Sequence, residues 1–304
     1  MADFDLHILG CGSALPTTRH LATSQVINLR DKLYMIDCGE GTQVQMRLAR
    51  IKFSRLNHIF ISHLHGDHCF GLPGLISTLG MLGRRGPLFI YSHREMEDYL
   101  QPVLARFCMG LPFEVVFNAV DTGKHALIME DRSLRVYSIP LKHRIPTCGF
   151  LFEEKAQEDH LIREMADFYR IPVSLRRGIK QGDDYITPEG EVVPHTRLTR
   201  PAKPPRRYAY CSDTAFSPDI TSIIKGVDLL YHEATFAEAD IARARQTAHS
   251  TAAQAASIAR QAEVKRLVIG HFSARYDDDS ILKLEADNVF PGTILAKEGL
   301  VLPV

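Results

Sequence analysis

No Cys-x-x-Cys pair occurs in this chain, no apolar run approaches the length of a bilayer span, and neither sign of charge prevails. The six cysteines (Cys11, Cys38, Cys69, Cys108, Cys148 and Cys211) are scattered. That pattern reads as free thiols in a reducing cytoplasm rather than a disulfide frame. A membrane helix needs about 20 consecutive apolar residues, so a spanning segment and a membrane partner are not expected. Met1-Ala2-Asp3-Phe4-Asp5 lacks the basic start and apolar stretch of a signal peptide, which points to a cytoplasmic location. Thirty-six Lys and Arg against 36 Asp and Glu leave no net charge. A protein that coats nucleic acid is usually strongly basic, so any polyanion site here is a local patch. No exact internal repeat is visible. With 45% hydrophobic and 24% charged residues over 304 positions, disorder and a collagen-like fibre are excluded, and one large domain or two small ones fit. Histidine is what the chain has in quantity, with 14 of them.

Short apolar runs alternate with turn residues through the first half. Strands are expected over 4–9, 24–29, 32–36, 56–61 and 88–91, with 24–36 forming a hairpin around Arg30-Asp31. Helical spacing marks 40–50, 72–82 and 93–107. The runs at 115–117, 126–129, 134–139 and 148–153 suggest a succession of antiparallel strands. Later come strands at 208–211, 228–231 and 266–269, with helices over 218–225 and 251–261. Thr251 with Gln254 three residues on is a capping box, which starts that helix just after His249. Strand-then-helix units in both halves indicate an α/β fold with two sheets and helices outside. Between 155 and 207 the composition changes. Prolines stand at 172, 188, 194, 201, 204 and 205, and positions 176–207 hold eight Lys/Arg against four Asp/Glu. This stretch reads either as a solvated surface insertion or as a basic arm that touches a polyanion.

The strongest local signal is Ile61-Ser62-His63-Leu64-His65-Gly66-Asp67-His68. A strand delivers the chain to a loop with four ligand-type side chains within six residues. At near-extended spacing His63, His65 and Asp67 point to one side, and Gly66 lets the backbone turn so that Asp67 and His68 present together. Imidazole and carboxylate ligands suit zinc, with manganese or iron as alternatives. One tetrahedral ion cannot comfortably take all four from so short a loop, so two adjacent ions are expected. Further ligands are on offer at other strand ends: His143, Asp213 in Cys211-Ser212-Asp213-Thr214, and His271 in Gly270-His271-Phe272.

His63-Leu64-His65-Gly66-Asp67-His68 with distant His143, Asp213 and His271 resembles the metallo-β-lactamase superfamily of dinuclear metal hydrolases. Four further stretches resemble its ribonuclease Z family in particular. They are Gly71-Leu72-Pro73-Gly74-Leu75, His232-Glu233-Ala234-Thr235-Phe236, Ala248-His249-Ser250-Thr251 and His271-Phe272-Ser273-Ala274-Arg275-Tyr276. The resemblance runs from about residue 6 to 298. It implies a four-layer αβ/βα sandwich, one metallo-β-lactamase domain over 1–304 with an inserted arm at 155–207. It also implies a homodimer and two Zn2+ per subunit, with Mn2+ or another divalent ion as the alternative. One ion would be held by His63, His65 and His143 and the other by Asp67, His68 and His271, with Asp213 bridging.

The implied reaction is removal of the 3′ trailer from precursor tRNA by water activated between the metals. DNA is not an expected partner. Asp67 would orient the water and accept its proton. His249 would protonate the ribose 3′-oxygen, leaving a 3′-hydroxyl on the tRNA and a 5′-phosphate on the trailer. A position just before a helix N-terminus disfavours imidazolium, so Glu233 is the expected helper. The arm would grip tRNA through Arg176, Arg177 and Lys180. It departs from the family pattern at Val173-Ser174-Leu175-Arg176-Arg177, where a Gly-Pro-rich core is usual. Pro16-Thr17-Thr18-Arg19 resembles a loop near the acceptor end, which makes Arg19 a further RNA contact, and His20 stands where an asparagine is common. Two other readings stay open: a metallo-β-lactamase-fold hydrolase of another phosphodiester, lactone or thioester, and a metal-bound RNA-binding protein without turnover.

Overall fold

The computed structural model describes residues 4–304, and Met1-Ala2-Asp3, part of the leader reading, lie outside the described residues. Two compact units emerge, one from Met1–Glu153 with Arg207–Val304 and a smaller one over Glu154–Arg206. In the larger unit the first sheet starts with β1 (Phe4–Gly10), β2 (Ser24–Leu29) and β3 (Lys32–Cys38), antiparallel in succession. It continues through β4 (Leu56–Phe60), β5 (Leu88–Ser92) and β6 (Val115–Ala119), each parallel to the one before. Helices α1 (Thr42–Leu48), α2 (Gly66–Cys69), α3 (Leu72–Met81) and α4 (Glu95–Phe107) make the crossovers.

The second sheet begins with β7 (Leu127–Glu130), β8 (Leu134–Pro140) and β9 (Cys148–Glu154). The smaller unit then holds β10 (His160–Leu161), β11 (Tyr185–Ile186), β12 (Val192–Val193) and β13 (Thr199–Arg200), with α5 (Arg163–Phe168), α6 (Arg176–Lys180) and α7 (His195–Leu198). Back in the second sheet, β14 (Arg207–Cys211), β15 (Leu229–Glu233), β16 (Leu267–Gly270) and β17 (Ile294–Leu295) run parallel. Helices α8 (Ile241–Thr247), α9 (Ala252–Gln261) and α10 (Ser280–Asp287) accompany them. The last strand, β18 (Val301–Pro303), returns to the first sheet beside β1.

Alternation along the strands makes this a four-layer α/β sandwich. Successive side chains of a strand face opposite ways. In β3, Tyr34 and Ile36 join the core between the sheets, whereas Leu33 and Met35 face α1, α3 and α4. Phe60, Phe150, Phe152 and Tyr208 fill the middle. On the far side, Ala252, Ala255, Ala256 and Ile258 of α9 lie over the second sheet, and the small alanines let the helix approach closely. The capping box at Thr251 and Gln254 is present.

The sequence reading needs correction in several places. The run at 115–117 does not join the antiparallel series, because β6 pairs parallel with β5. The long α4 between them is a crossover, which antiparallel neighbours do not need. The stretch 218–225 forms only a 3₁₀ turn over Pro218–Ser222, in which Ile220 is buried. Helices α8 and α10 and strand β18 were not anticipated. Composition also gives no hint that Glu154–Arg206 builds a core of its own from Ala166, Ile171, Ile179, Tyr185, Val193 and Leu198.

A half-buried histidine, His58 on β4, makes the larger unit acid-sensitive. Its ring stacks between Tyr34 and Phe89 at centroid distances of 5.6 and 5.2 Å. Burial, opposed by Asp131 and assisted by Lys32 and Arg84, brings its pKa from 6.5 down to about 4. The unfolded chain therefore takes up this proton first as pH falls. The stabilisation is intact above pH 6.5 and is lost as pH falls towards 4. Urea unfolding midpoints should drop more steeply across that window for the wild type than for His58→Phe. Parallel profiles would refute the assignment.

Candidate metal centre

The ligand-type residues emerge at the C-terminal ends of strands, where ligands of open α/β sheets gather. In the β14–β15–β16 register, Cys211 lies opposite His232 and Glu233 opposite Gly270. The chain segments carrying Asp213, Glu233 and His271 therefore leave the sheet on one rim. Two of the turns are strained. His271 has φ +61° and Asp37, at the end of β3, has φ +55°, conformations that cost a non-glycine residue about 1–3 kcal/mol each.

The His63–His68 loop splits its ligands in two. His63 and His65 leave β4 extended, and His65 then caps α2. The turn starting at Gly66 is helical, so Asp67 does not stay on the side of His63 and His65, as near-extended spacing had suggested. Instead His63, His65, His143 and Asp213 form one group, and Asp67, His68 and His271 another. In the first group, His63 Nε2 and His65 Nδ1 are 2.9 Å apart. His143 Nε2 lies 3.4 Å from His65 Nδ1. In the second, His271 Nε2 lies 3.4 Å from His68 Nε2 and 3.5 Å from Asp67 Oδ2.

Asp213 divides its oxygens between the groups. Oδ2 faces His63 Nε2 at 3.6 Å and His143 Nε2 at 3.9 Å. Oδ1 faces His271 Nε2 at 3.1 Å and His68 Nε2 at 3.4 Å.

This donor set fits divalent cations. Burial, with the neighbouring imidazoles, holds His63 well below its ordinary pKa, and His65 and His143 are lowered too, chiefly by burial. Their lone pairs are thus free for a metal. Burial would raise the carboxyl pKa values of Asp67 and Asp213, but the adjacent histidines hold both below the ordinary range. Burial opposes charge on His68, yet Asp213, Asp37 and Asp67 raise it well above 6.5.

The nitrogen facing away from the cluster is held in four of the five histidines, as is usual for metal-ligating imidazoles. His63 Nδ1 lies 2.9 Å from Ser62 Oγ, and His68 Nδ1 2.7 Å from Asp37 Oδ2. His143 Nδ1 lies 2.9 Å from the Ala248 carbonyl, and His271 Nδ1 2.9 Å from Thr235 Oγ1. Asp37, Thr235 and the Ala248 carbonyl were not singled out in the sequence. Asp37 stands in Asp37-Cys38-Gly39 at a strand end, and Thr235 and Ala248 lie within two of the stretches that carry the family resemblance. Glycine is required close by, since a Cβ on Gly71 would lie 2.1 Å from the Gly39 carbonyl oxygen.

His249 stands beside both groups, its ring 4.9 Å from that of His143 and 5.4 Å from that of His271. Its Nδ1 is 2.7 Å from Glu233 Oε1. Burial pulls its pKa down, but the Glu233 carboxylate outweighs this and raises it to about 9. Glu233 is itself fully buried and accepts from the backbone N–H groups of Thr214, Thr235 and Ser250. A cleft of about 760 Å³ opens over the site, lined by Ala14, Pro16, His65, Asp67, Arg144 and His249 among others. Arg144 was also missed, although it adjoins His143 in sequence.

Arg19 donates to the carbonyls of Asp277 and Tyr276. In the smaller unit Arg176 donates to the Ile171 carbonyl, Arg177 lies 3.9 Å from Glu158, and Lys180 ends α6.

Two sheets with helices outside, and paired clusters of histidine and aspartate on one rim, define a hydrolase of the metallo-β-lactamase fold that uses divalent metal. Solved structures share that architecture over nearly the whole chain. Human tRNase Z, short form, matches with a TM-score of 0.72 at 25% identity, covering 99% of each chain. The metallo-β-lactamase fold protein YhfI from Bacillus subtilis matches at 0.68 and 16%, again over 99% of each, and speaks for the fold alone. A family model described as anti-Pycsar protein Apyc1 matches residues 4–156, a span that ends before Asp213, Glu233, His249 and His271. A ribonuclease Z from Parabacteroides distasonis is 72% identical over all 304 residues of both chains. Another from Porphyromonas gingivalis is 60% identical over 98% of each. The chain belongs to the ribonuclease Z family of endoribonucleases.

The Asp37–His68 contact gives a test. Asp37→Asn should weaken zinc binding by about 10–100-fold in competition with a chromogenic chelator. An unchanged affinity would show that Asp37 serves the fold and not the ligand.

Proposed function

We propose that this chain removes the 3′ trailer of precursor tRNA, using two zinc ions, and leaves a 3′-hydroxyl on the tRNA and a 5′-phosphate on the trailer. The observation that carries the reading is the shared Asp213 carboxylate, with one oxygen turned to each ligand group. His63, His65 and His143 would hold one ion, Asp67, His68 and His271 the other. When bound, the pair supplies water of lowered pKa and neutralises charge on the phosphate.

The chain's own residues do the rest. Asp67 Oδ2, held by the Ala14 N–H at 2.8 Å, orients the attacking water and takes its proton. Glu233 fixes His249 through Nδ1, which keeps the proton on Nε2 for the departing ribose 3′-oxygen. Arg144 lines the same cleft and offers a bidentate cation to the scissile or flanking phosphate. Arg176, Arg177 and Lys180 of the inserted unit, with Arg19, give tRNA backbone contacts in a protein of zero net charge. The family resemblance supports a cytoplasmic homodimer, and no helix among the described residues is long and apolar enough to cross a membrane.

The decisive assay incubates the protein with end-labelled precursor tRNA, with and without chelator, and maps the cut. A single chelator-sensitive cleavage after the mature 3′ end supports the reading; a cut elsewhere, or none, refutes it. His249→Ala should lower turnover by about 10²–10⁴-fold with metal content unchanged, and loss of metal would make His249 a ligand instead. Removal of the inserted unit should weaken tRNA binding while a small chromogenic phosphodiester is still hydrolysed. An equal fall in both would make the insertion structural.

A further inference from the structure

A second donor cluster lies apart from the dinuclear site and shares no residue with it. Cys11 follows β1, His20 ends the Pro16–Arg19 loop, and Glu298 precedes β18. Their donor atoms converge: Cys11 Sγ is 3.4 Å from His20 Nδ1 and 3.5 Å from Glu298 Oε1, and His20 Nδ1 is 3.2 Å from Glu298 Oε2. A tetrahedral ion with bonds of roughly 2.0–2.3 Å spaces its ligands by about 3.3–3.8 Å, close to these separations. The dinuclear groups show comparable spacings, from 2.9 Å between His63 and His65 to 3.9 Å between His143 and Asp213.

The outer arrangement is that of a metal site as well. His20 Nε2 lies 2.7 Å from Asp279 Oδ2, which turns Nδ1 towards the cysteine and Glu298. His68 is held by Asp37 in the same manner. Glu298 Oε1 is fixed by the N–H groups of Leu21 and Cys11 at 2.9 and 3.3 Å and also faces Cys11 Sγ, while Oε2 faces His20 Nδ1. Cys11 is fully buried, while His20 and Glu298 keep a little exposure, 12% and 16% of their side chains, enough for a fourth ligand from solvent.

We propose that Cys11, His20 and Glu298 bind a third divalent cation, of the thiophilic class that zinc represents, with Asp279 positioning His20. Thiolate and imidazole together select zinc over magnesium or calcium. The ion would staple three segments distant in sequence. One of them, the loop to which Ala14, Pro16, Leu21 and Ala22 belong, walls the active-site cleft. The alternative is a purely hydrogen-bonded cluster in which a Cys11 thiol donates to Glu298 and His20 bridges two carboxylates.

Cobalt separates the two, because the dinuclear ligands include no sulfur. Metal-stripped wild-type protein titrated with Co(II) should develop a near-ultraviolet thiolate-to-cobalt charge-transfer band. That band should vanish in Cys11→Ser and persist in Cys69→Ser, the control for the thiol that lies 3.3 Å from the His65 carbonyl. Elemental analysis should find about three zinc ions per chain in the wild type and about two in Cys11→Ser and Glu298→Gln. Absence of the band in the wild type, or its survival in Cys11→Ser, overturns the proposal. The wild-type titration decides the matter even where a variant folds poorly. The band is independent of the dinuclear assignment, since His63→Ala with His65→Ala should retain it while losing zinc.

Discussion

Everything at the active rim depends on one buried carboxylate. Asp213 is 2% exposed, and burying an ion costs several kcal/mol unless other charges compensate. Its compensation comes from four imidazoles, two on each oxygen: His63 from the loop after β4, His68 from α2, His143 from the loop after β8, and His271 just after β16. Nitrogens crowd within each group, His68 Nε2 lying 3.4 Å from His271 Nε2 and His63 Nε2 2.9 Å from His65 Nδ1. Positive charge placed on either side of Asp213 satisfies the carboxylate and the nitrogens at once, which is why the cluster makes physical sense as a pair of cation sites.

The fold spends strain beside the paired clusters. Asp37 and His271 both take a left-handed backbone at strand ends, and the surrounding hydrogen bonds hold them there. Asp37 also accepts from Ser62 N–H at 2.8 Å and from the Tyr210 hydroxyl at 2.5 Å, so the first sheet, the ligand loop and the second sheet meet on one side chain. Glu233 acts likewise on the other flank. It gathers three backbone donors and Thr235, whose hydroxyl in turn touches His271. His249 and His271 are thereby aligned through a single buried acid.

Much of this was legible in the sequence because the chemistry is local. The His63–His68 loop displays four ligands together, and the capping box at Thr251 fixes where His249 sits relative to α9. The candidate ligands at 143, 213 and 271 could be guessed from apolar runs ending in His or Asp, and the family resemblance supplied their grouping. What stayed hidden is long-range. Asp37, Thr235, Ala248 and Arg144 matter only through the residues that the fold brings beside them, and nothing in their neighbours' sequence declares that. The direction of β6 depends on a crossover, not on its own residues. The split of Asp67 from His63 and His65 follows from one helical turn at Gly66, where extended and helical backbone are equally compatible with the residues present. The core of the Glu154–Arg206 unit is built from six scattered apolar side chains among prolines and charges, too sparse for any periodicity to reveal.

The central claim is that Asp213 lies between two cations. Anomalous diffraction at the zinc absorption edge, on crystals of active protein, measures that directly. The account predicts two peaks flanking Asp213, one among His63, His65 and His143 and the other among Asp67, His68 and His271. A single peak, or none, in protein that still cleaves RNA would contradict it.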